Sequence, residues 1–142
     1  MAVSEAEIEA LALGAMRAWV ARDVKSMKKL TFRDFMMLVG STPPQLLDRP
    51  SFLAAMERSF VCNRFVFREV IARRHREAAW FVAGAELDLT LAGKPWTGAF
   101  LVSALFRKST WSSKMLLADL SLARQDPDAD LAAAIGKLQL WK

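Results

Sequence analysis

The stretch from Ala78 to Leu122 constrains this chain more than any other, because it holds three strand-length segments separated by two short turns. Leu91-Ala92-Gly93-Lys94-Pro95 supplies the first turn and Lys108-Ser109-Thr110-Trp111-Ser112-Ser113 the second, both rich in turn-forming residues. Side chains alternate between faces along a strand, so the centre of the first turn decides which residues meet. A hairpin centred near Gly93 puts Trp80, Val82, Gly84, Glu86 and Asp88 on one face with Trp96, Phe100, Val102 and Phe106. Phe81, Ala83, Ala85, Leu87, Ala99, Leu101, Ser103 and Leu105 then share the other, joined from the third segment by Met115, Leu117, Asp119 and Ser121. Both faces are largely apolar, and both require cover.

Helical signals flank this ribbon. Ser4 and Glu7 form a capping-box pair, and Ile8, Leu11, Ala15 and Trp19 recur at helical spacing toward an end near Arg22. Asp23 caps a second, short helix over Val24 to Leu30. Asp34 to Val39 reads as a buried strand closed by Gly40, and Ser41-Thr42-Pro43-Pro44 as a loop. A third helix is expected from Pro50 to Phe60, with proline in the first turn, and a strand from Phe65 to Arg73. Beyond Arg124, Asp126-Pro127-Asp128 opens a final amphipathic helix carrying Leu131, Ile135 and Leu138. The order predicts an α+β domain over residues 1–124, with a C-terminal helix over 125–142.

Composition narrows the function classes. A chain of 142 residues is one domain's worth, and it buries roughly two-thirds of its unfolded surface. No apolar run approaches the roughly 18 residues that cross a bilayer, and the acidic start lacks the character of a signal peptide. Both point to a cytoplasmic protein with no membrane partner. The single Cys62 fits a reducing compartment and reads as a small buried residue. The net charge of +5 is concentrated in Arg73-Arg74-His75-Arg76 and in Lys25 to Lys29. One cluster falls at a turn and the other on a short helix, without the interleaved aromatics of a nucleic-acid surface, so no nucleic-acid partner is expected. His75 is the only histidine, which excludes a multi-histidine metal site; no phosphate loop, dinucleotide fingerprint or nucleophile elbow occurs. No metal and no cofactor are expected.

The element order resembles the nuclear transport factor 2-like (NTF2-like) superfamily, and within it the SnoaL-like and ketosteroid-isomerase-like members. The phrases that carry the resemblance are Ala21-Arg22-Asp23, Asp34-Phe35-Met36-Met37-Leu38-Val39-Gly40, Leu46-Leu47-Asp48-Arg49, Gly93 to Gly98 and Ala118-Asp119-Leu120-Ser121. It spans roughly Ser4 to Leu122. The resemblance implies a cone: three N-terminal helices packed on a strongly curved antiparallel sheet, its cystatin-like concave side enclosing an apolar pocket. Members bind small molecules, act as isomerases or dehydratases, or assemble as dimers, so fold alone does not assign function. The isomerase-like positions fall here on Ala15, on Leu38 or Val39, and on Ser103, and the chain contains no tyrosine. The steroid-isomerising set is therefore missing.

Candidate site residues follow from the faces. Asp119 is expected in the small-residue hollow beside Ser103 and Ser121. A carboxylate enclosed among apolar groups titrates high and serves as a general base, so Asp119 with Ser103 forms the candidate catalytic pair. The alternative is an ion pair with Arg68 or Arg107. Trp19, Ala15, Leu38, Phe60, Phe81, Ala83 and Leu105 complete the expected pocket wall. Trp80, Trp96, Phe100, Val102 and Phe106 on the opposite face form an apolar patch larger than monomers expose, which predicts a two-fold homodimer. A C-terminal helix folded back on that patch is the competing cover. The leading expectation is a dimeric binder of a small apolar or amphipathic molecule. An isomerase, dehydratase or hydrolase of a polyketide-like or steroid-like substrate, and a non-catalytic dimeric interaction module, are the alternatives.

Overall fold

Ser4 opens the first helix as its side chain predicts: its hydroxyl accepts the Glu7 N–H at 3.2 Å, and the Glu7 carboxylate accepts the Ser4 N–H. The computed structural model describes residues 4–125 and 137–139. Among these residues the order is α1 (Glu5–Val20), α2 (Val24–Leu30), β1 (Thr31–Val39), β2 (Gln45–Asp48), α3 (Arg49–Ala55), β3 (Phe60–His75), β4 (Ala78–Leu91), β5 (Lys94–Lys108) and β6 (Met115–Arg124). Asp23 caps α2 through the Ser26 N–H, and Asp48 caps α3 through the Ser51 N–H. Arg49 then binds the free end of α2, donating to the Lys28 carbonyl and to the Thr31 hydroxyl. The fold is α+β, with the helices on one face of a six-stranded sheet ordered β2-β1-β6-β5-β4-β3.

Several expectations are corrected. The sheet is not wholly antiparallel, because β1 pairs β6 in parallel, with Met37 opposite Leu120. The two strands are separated by β2, α3 and the whole β3–β5 meander, so no tight turn forces them to run oppositely. β2 was not foreseen; it follows the expected Ser41–Pro44 loop and pairs β1 with Leu46 opposite Leu38. The third helix stops at Ala55, and β3 already starts at Phe60 and runs to His75 because β4 supplies a pairing partner over that whole length. The expected C-terminal helix, with Leu131 and Ile135, lies outside the described residues apart from Lys137-Leu138-Gln139, where Leu138 is exposed.

The central correction is one of register. Ala92 and Gly93 both have positive φ, 52° and 81°, so the hairpin is closed by a two-residue turn in which Leu91 faces Lys94. The turn centre lies between Ala92 and Gly93, not on Gly93. That half-residue shift turns every β5 side chain to the other face of its neighbour. Phe81 now faces Ala104, Ala83 faces Val102, and Ala85 faces Phe100. A second irregularity, between Leu105 and Phe106, divides β6 so that Leu117 points to the core while Asp119 and Ser121 point away.

Bulges in β3 near Asn63 and at Glu69 (φ 52°), with those of β1 and β5–β6, bend the sheet around α1. Its inner face carries Phe81, Leu87, Leu89, Phe100, Val102 and Phe106, all fully or almost fully buried against Ile8, Met16 and Trp19 of α1.

Candidate functional site

Large side chains from both β4 and β5 point inward, and they fill the concave side. Trp19 is fully buried, donates its indole N–H to the Phe60 carbonyl at 3.0 Å, and stands edge-on to Phe52 and Phe60 at centroid distances of 5.3 and 5.1 Å. Ala15, Phe60, Phe81 and Ala83 are buried with it. What remains is a void of about 10 Å³ between Ala12, Ala15, Phe67, Phe81 and Leu117, no more than one water's space. The expected apolar pocket inside the cone is packed protein.

The register places the remaining candidates on the outer face. Ser103 lies opposite Ser121 and Leu105 opposite Asp119, so these four do come together as expected, but on the side away from the helices. With Trp80, Val82 and Leu101 they line an open hollow of about 430 Å³. Asp119 is exposed, and no hydrogen bond or ion pair engages its carboxylate among the described residues. Arg107, a proposed partner for it, instead pairs with Asp34 at 3.4 Å and lies over the Phe32 ring. Leu38 is on the outer face as well, with Leu46 across the β1–β2 pair.

The expected dimer patch is redistributed by the same shift. Phe100, Val102 and Phe106 are buried in the core, and Trp96 packs edge-on to Phe100. Trp80 alone of the five stays on the outer face, 56% exposed. The outer face still carries exposed apolar side chains: Leu38, Leu46, Val66, Ile71 and Leu101 stand on it with Trp80. Val66 and Ile71, both on β3, are the residues of this set that the sequence did not single out.

Cys62 is buried, and burial pushes its thiol up to about 12, which removes it as a nucleophile near neutral pH. Glu86 and Asp88 stay on the outer face, where Asp88 accepts from the Asn63 amide at 3.4 Å. His75 ends β3, exposed. Among the described residues no three His, Cys, Asp or Glu converge as metal ligands, and no helix is long and apolar enough to cross a membrane.

A larger concavity, about 950 Å³, was not foreseen. It lies between α1, α2 and the start of β6, with Gly14, Arg17, Lys29 and Lys114 among its walls. Its one sequence signal is Gly14, a glycine inside an otherwise well-formed helix, where glycine costs about 1 kcal/mol relative to alanine.

No protein-family model and no curated protein matches the sequence. Solved structures do match the fold. An NTF2-like protein from Cytophaga hutchinsonii has a TM-score of 0.74 at 13% identity, over 83% of this chain and 95% of that one. A putative Ca/calmodulin-dependent kinase II association domain from Exiguobacterium sibiricum has a TM-score of 0.73 at 14% identity, over 90% and 99%. A ketosteroid isomerase-like protein from Erwinia carotovora atroseptica has a TM-score of 0.64 at 18% identity, over 87% and 97%. The architecture is therefore the NTF2-like fold, as the sequence phrases suggested. At these identities the likeness fixes the fold and leaves activity open.

Proposed function

We propose that this chain is a non-catalytic module that associates with a second copy of itself through the outer face of its sheet. The observation that carries this reading is the division of apolar side chains between the two faces. The concave side is already filled, whereas Leu38, Leu46, Val66, Ile71, Trp80 and Leu101 stand exposed on the convex side. A stable dimer removes roughly 800 Å² per partner from water, and these apolar side chains, spread over β1 to β5 among polar neighbours such as Glu86, Asp88 and Asp119, supply the apolar part of such a surface. An association domain among the structural neighbours is in keeping with this use of the fold. The free, buried Cys62 suits a reducing, cytoplasmic setting.

Asp119 and Ser103 then belong to the interface, at the mouth of the 430 Å³ hollow. That hollow favours one second reading. Pairing would roof it, and a small amphipathic molecule held between Trp80 and Leu105 would meet Asp119 and Ser103 as hydrogen-bonding groups, or as a base in an isomerase, dehydratase or hydrolase. Light scattering on a sizing column separates the readings. Trp80→Asp, an exposed position, should turn a two-chain species into a folded single chain; wild-type protein eluting as one chain would contradict self-association. Asp119→Asn should leave the association intact and abolish any stabilisation by a ligand of the hollow; a ligand response unchanged in that variant would remove the second reading.

A further inference from the structure

We infer that the groove between α1, α2 and the start of β6 is a binding site for a single-chain amphiphile with an anionic head, a site independent of the self-associating face. Its lining is largely apolar, with Leu11, Leu30 and Met115 among the residues that form it. Arg17 of α1, Lys29 of α2 and Lys114, just before β6, line it as well. None of the three cations is paired with a carboxylate among the described residues, where the ion pairs are Arg73–Glu5 and Arg107–Asp34. The two acids at the groove are already engaged. Both Asp23 oxygens accept from Ser26, at 3.0 and 2.6 Å, and Glu7 is held in the capping box with Ser4. Those hydrogen bonds come from neutral donors and leave both carboxylates charged, so the lining holds three cations against two acids, a small positive excess, beside a volume within the usual range of ligand sites.

Gly14 supplies the second, independent observation. It lies inside α1, with no positive φ that would require glycine, and an added Cβ would meet nothing within 4 Å. Neither backbone conformation nor close packing calls for a glycine there, and local helix preference opposes it. What its missing side chain does is keep the groove open along the middle of α1. A sequence that breaks a local rule without a packing return commonly does so at a functional site. An apolar trough whose lining holds more cations than acids complements a linear tail ending in a carboxylate or a phosphate.

The test is calorimetric titration of the full chain with dodecanoate and with dodecyl phosphate, below micelle-forming concentrations, and with dodecanol as the uncharged control. Saturable binding of either anion, at least tenfold tighter than dodecanol, is expected, and the tighter of the two identifies the head group. Gly14→Leu fills the trough at a position with room for a side chain, and should abolish binding without lowering the melting temperature. The double variant Lys29→Ala with Lys114→Ala should weaken binding at least tenfold, which keeps the test decisive if Gly14→Leu folds poorly. Binding should persist in Trp80→Asp, so a failure of the dimer reading leaves this one standing. Absence of saturable binding, equal affinity for dodecanol, or binding undiminished by both the Gly14 and the lysine changes would overturn the proposal.

Discussion

Trp19 shows how a residue expected to wall a pocket comes to close it. Its ring fills the space between α1 and β3, and its N–H is satisfied by the Phe60 carbonyl, so no polar group is left facing a cavity. Trp19→Ala should cost about 3–5 kcal/mol in urea unfolding, the range for a fully buried aromatic; a loss below 1 kcal/mol would mean that this core is loosely packed. Cys62 is the other diagnostic side chain. Its thiol is raised from an ordinary 9.0 to about 12, chiefly by burial, so the folded chain keeps a proton that the unfolded chain releases above pH 9. The contribution of Cys62 is therefore fully present below pH 9 and is lost as pH rises toward 12. Unfolding wild type and Cys62→Ala at a series of pH values should show their stability difference shrinking over that window, with a native thiol inert to iodoacetamide at pH 8. Asp23 and Asp48 behave oppositely: hydrogen bonds from Ser26 and Ser51 hold both carboxyls below the usual range, so their help is lost as pH falls through their folded values.

Among the elements, the β4–β5 hairpin decides where every candidate residue points. Ala92 occupies a left-handed conformation that suits asparagine or glycine, so Ala92→Asn should stabilise the fold by about 1 kcal/mol; destabilisation would argue against the two-residue turn. The same hairpin explains what the sequence could and could not disclose. Alternation along β4 and along β5 was legible, as was the companionship of Ser103, Leu105, Asp119 and Ser121. The phase between β4 and β5 was not, because it depends on a half-residue shift in the turn. The bulkier β5 set, Phe100, Val102 and Phe106, was itself a sign of which side faces the core. Caps were legible to the residue in Ser4 and Asp23, whose signals are local. The parallel β1–β6 pair and the length of β3 were not, since both are set by partners distant in sequence.

For the whole molecule, the corrected register reverses the expected roles of the two faces while keeping the architecture. The side under the helices is core, and the open side carries exposed apolar groups together with Asp119 and Ser103. A face of that kind left in water is an aggregation hazard, and a two-fold pairing of identical faces removes it in one step. Sedimentation equilibrium of the wild-type chain over a range of micromolar concentrations reads that pairing out. The mass should converge on twice 15.9 kDa, with the Trp80→Asp chain remaining at 15.9 kDa and folded. A wild-type mass fixed at 15.9 kDa across that range would contradict it.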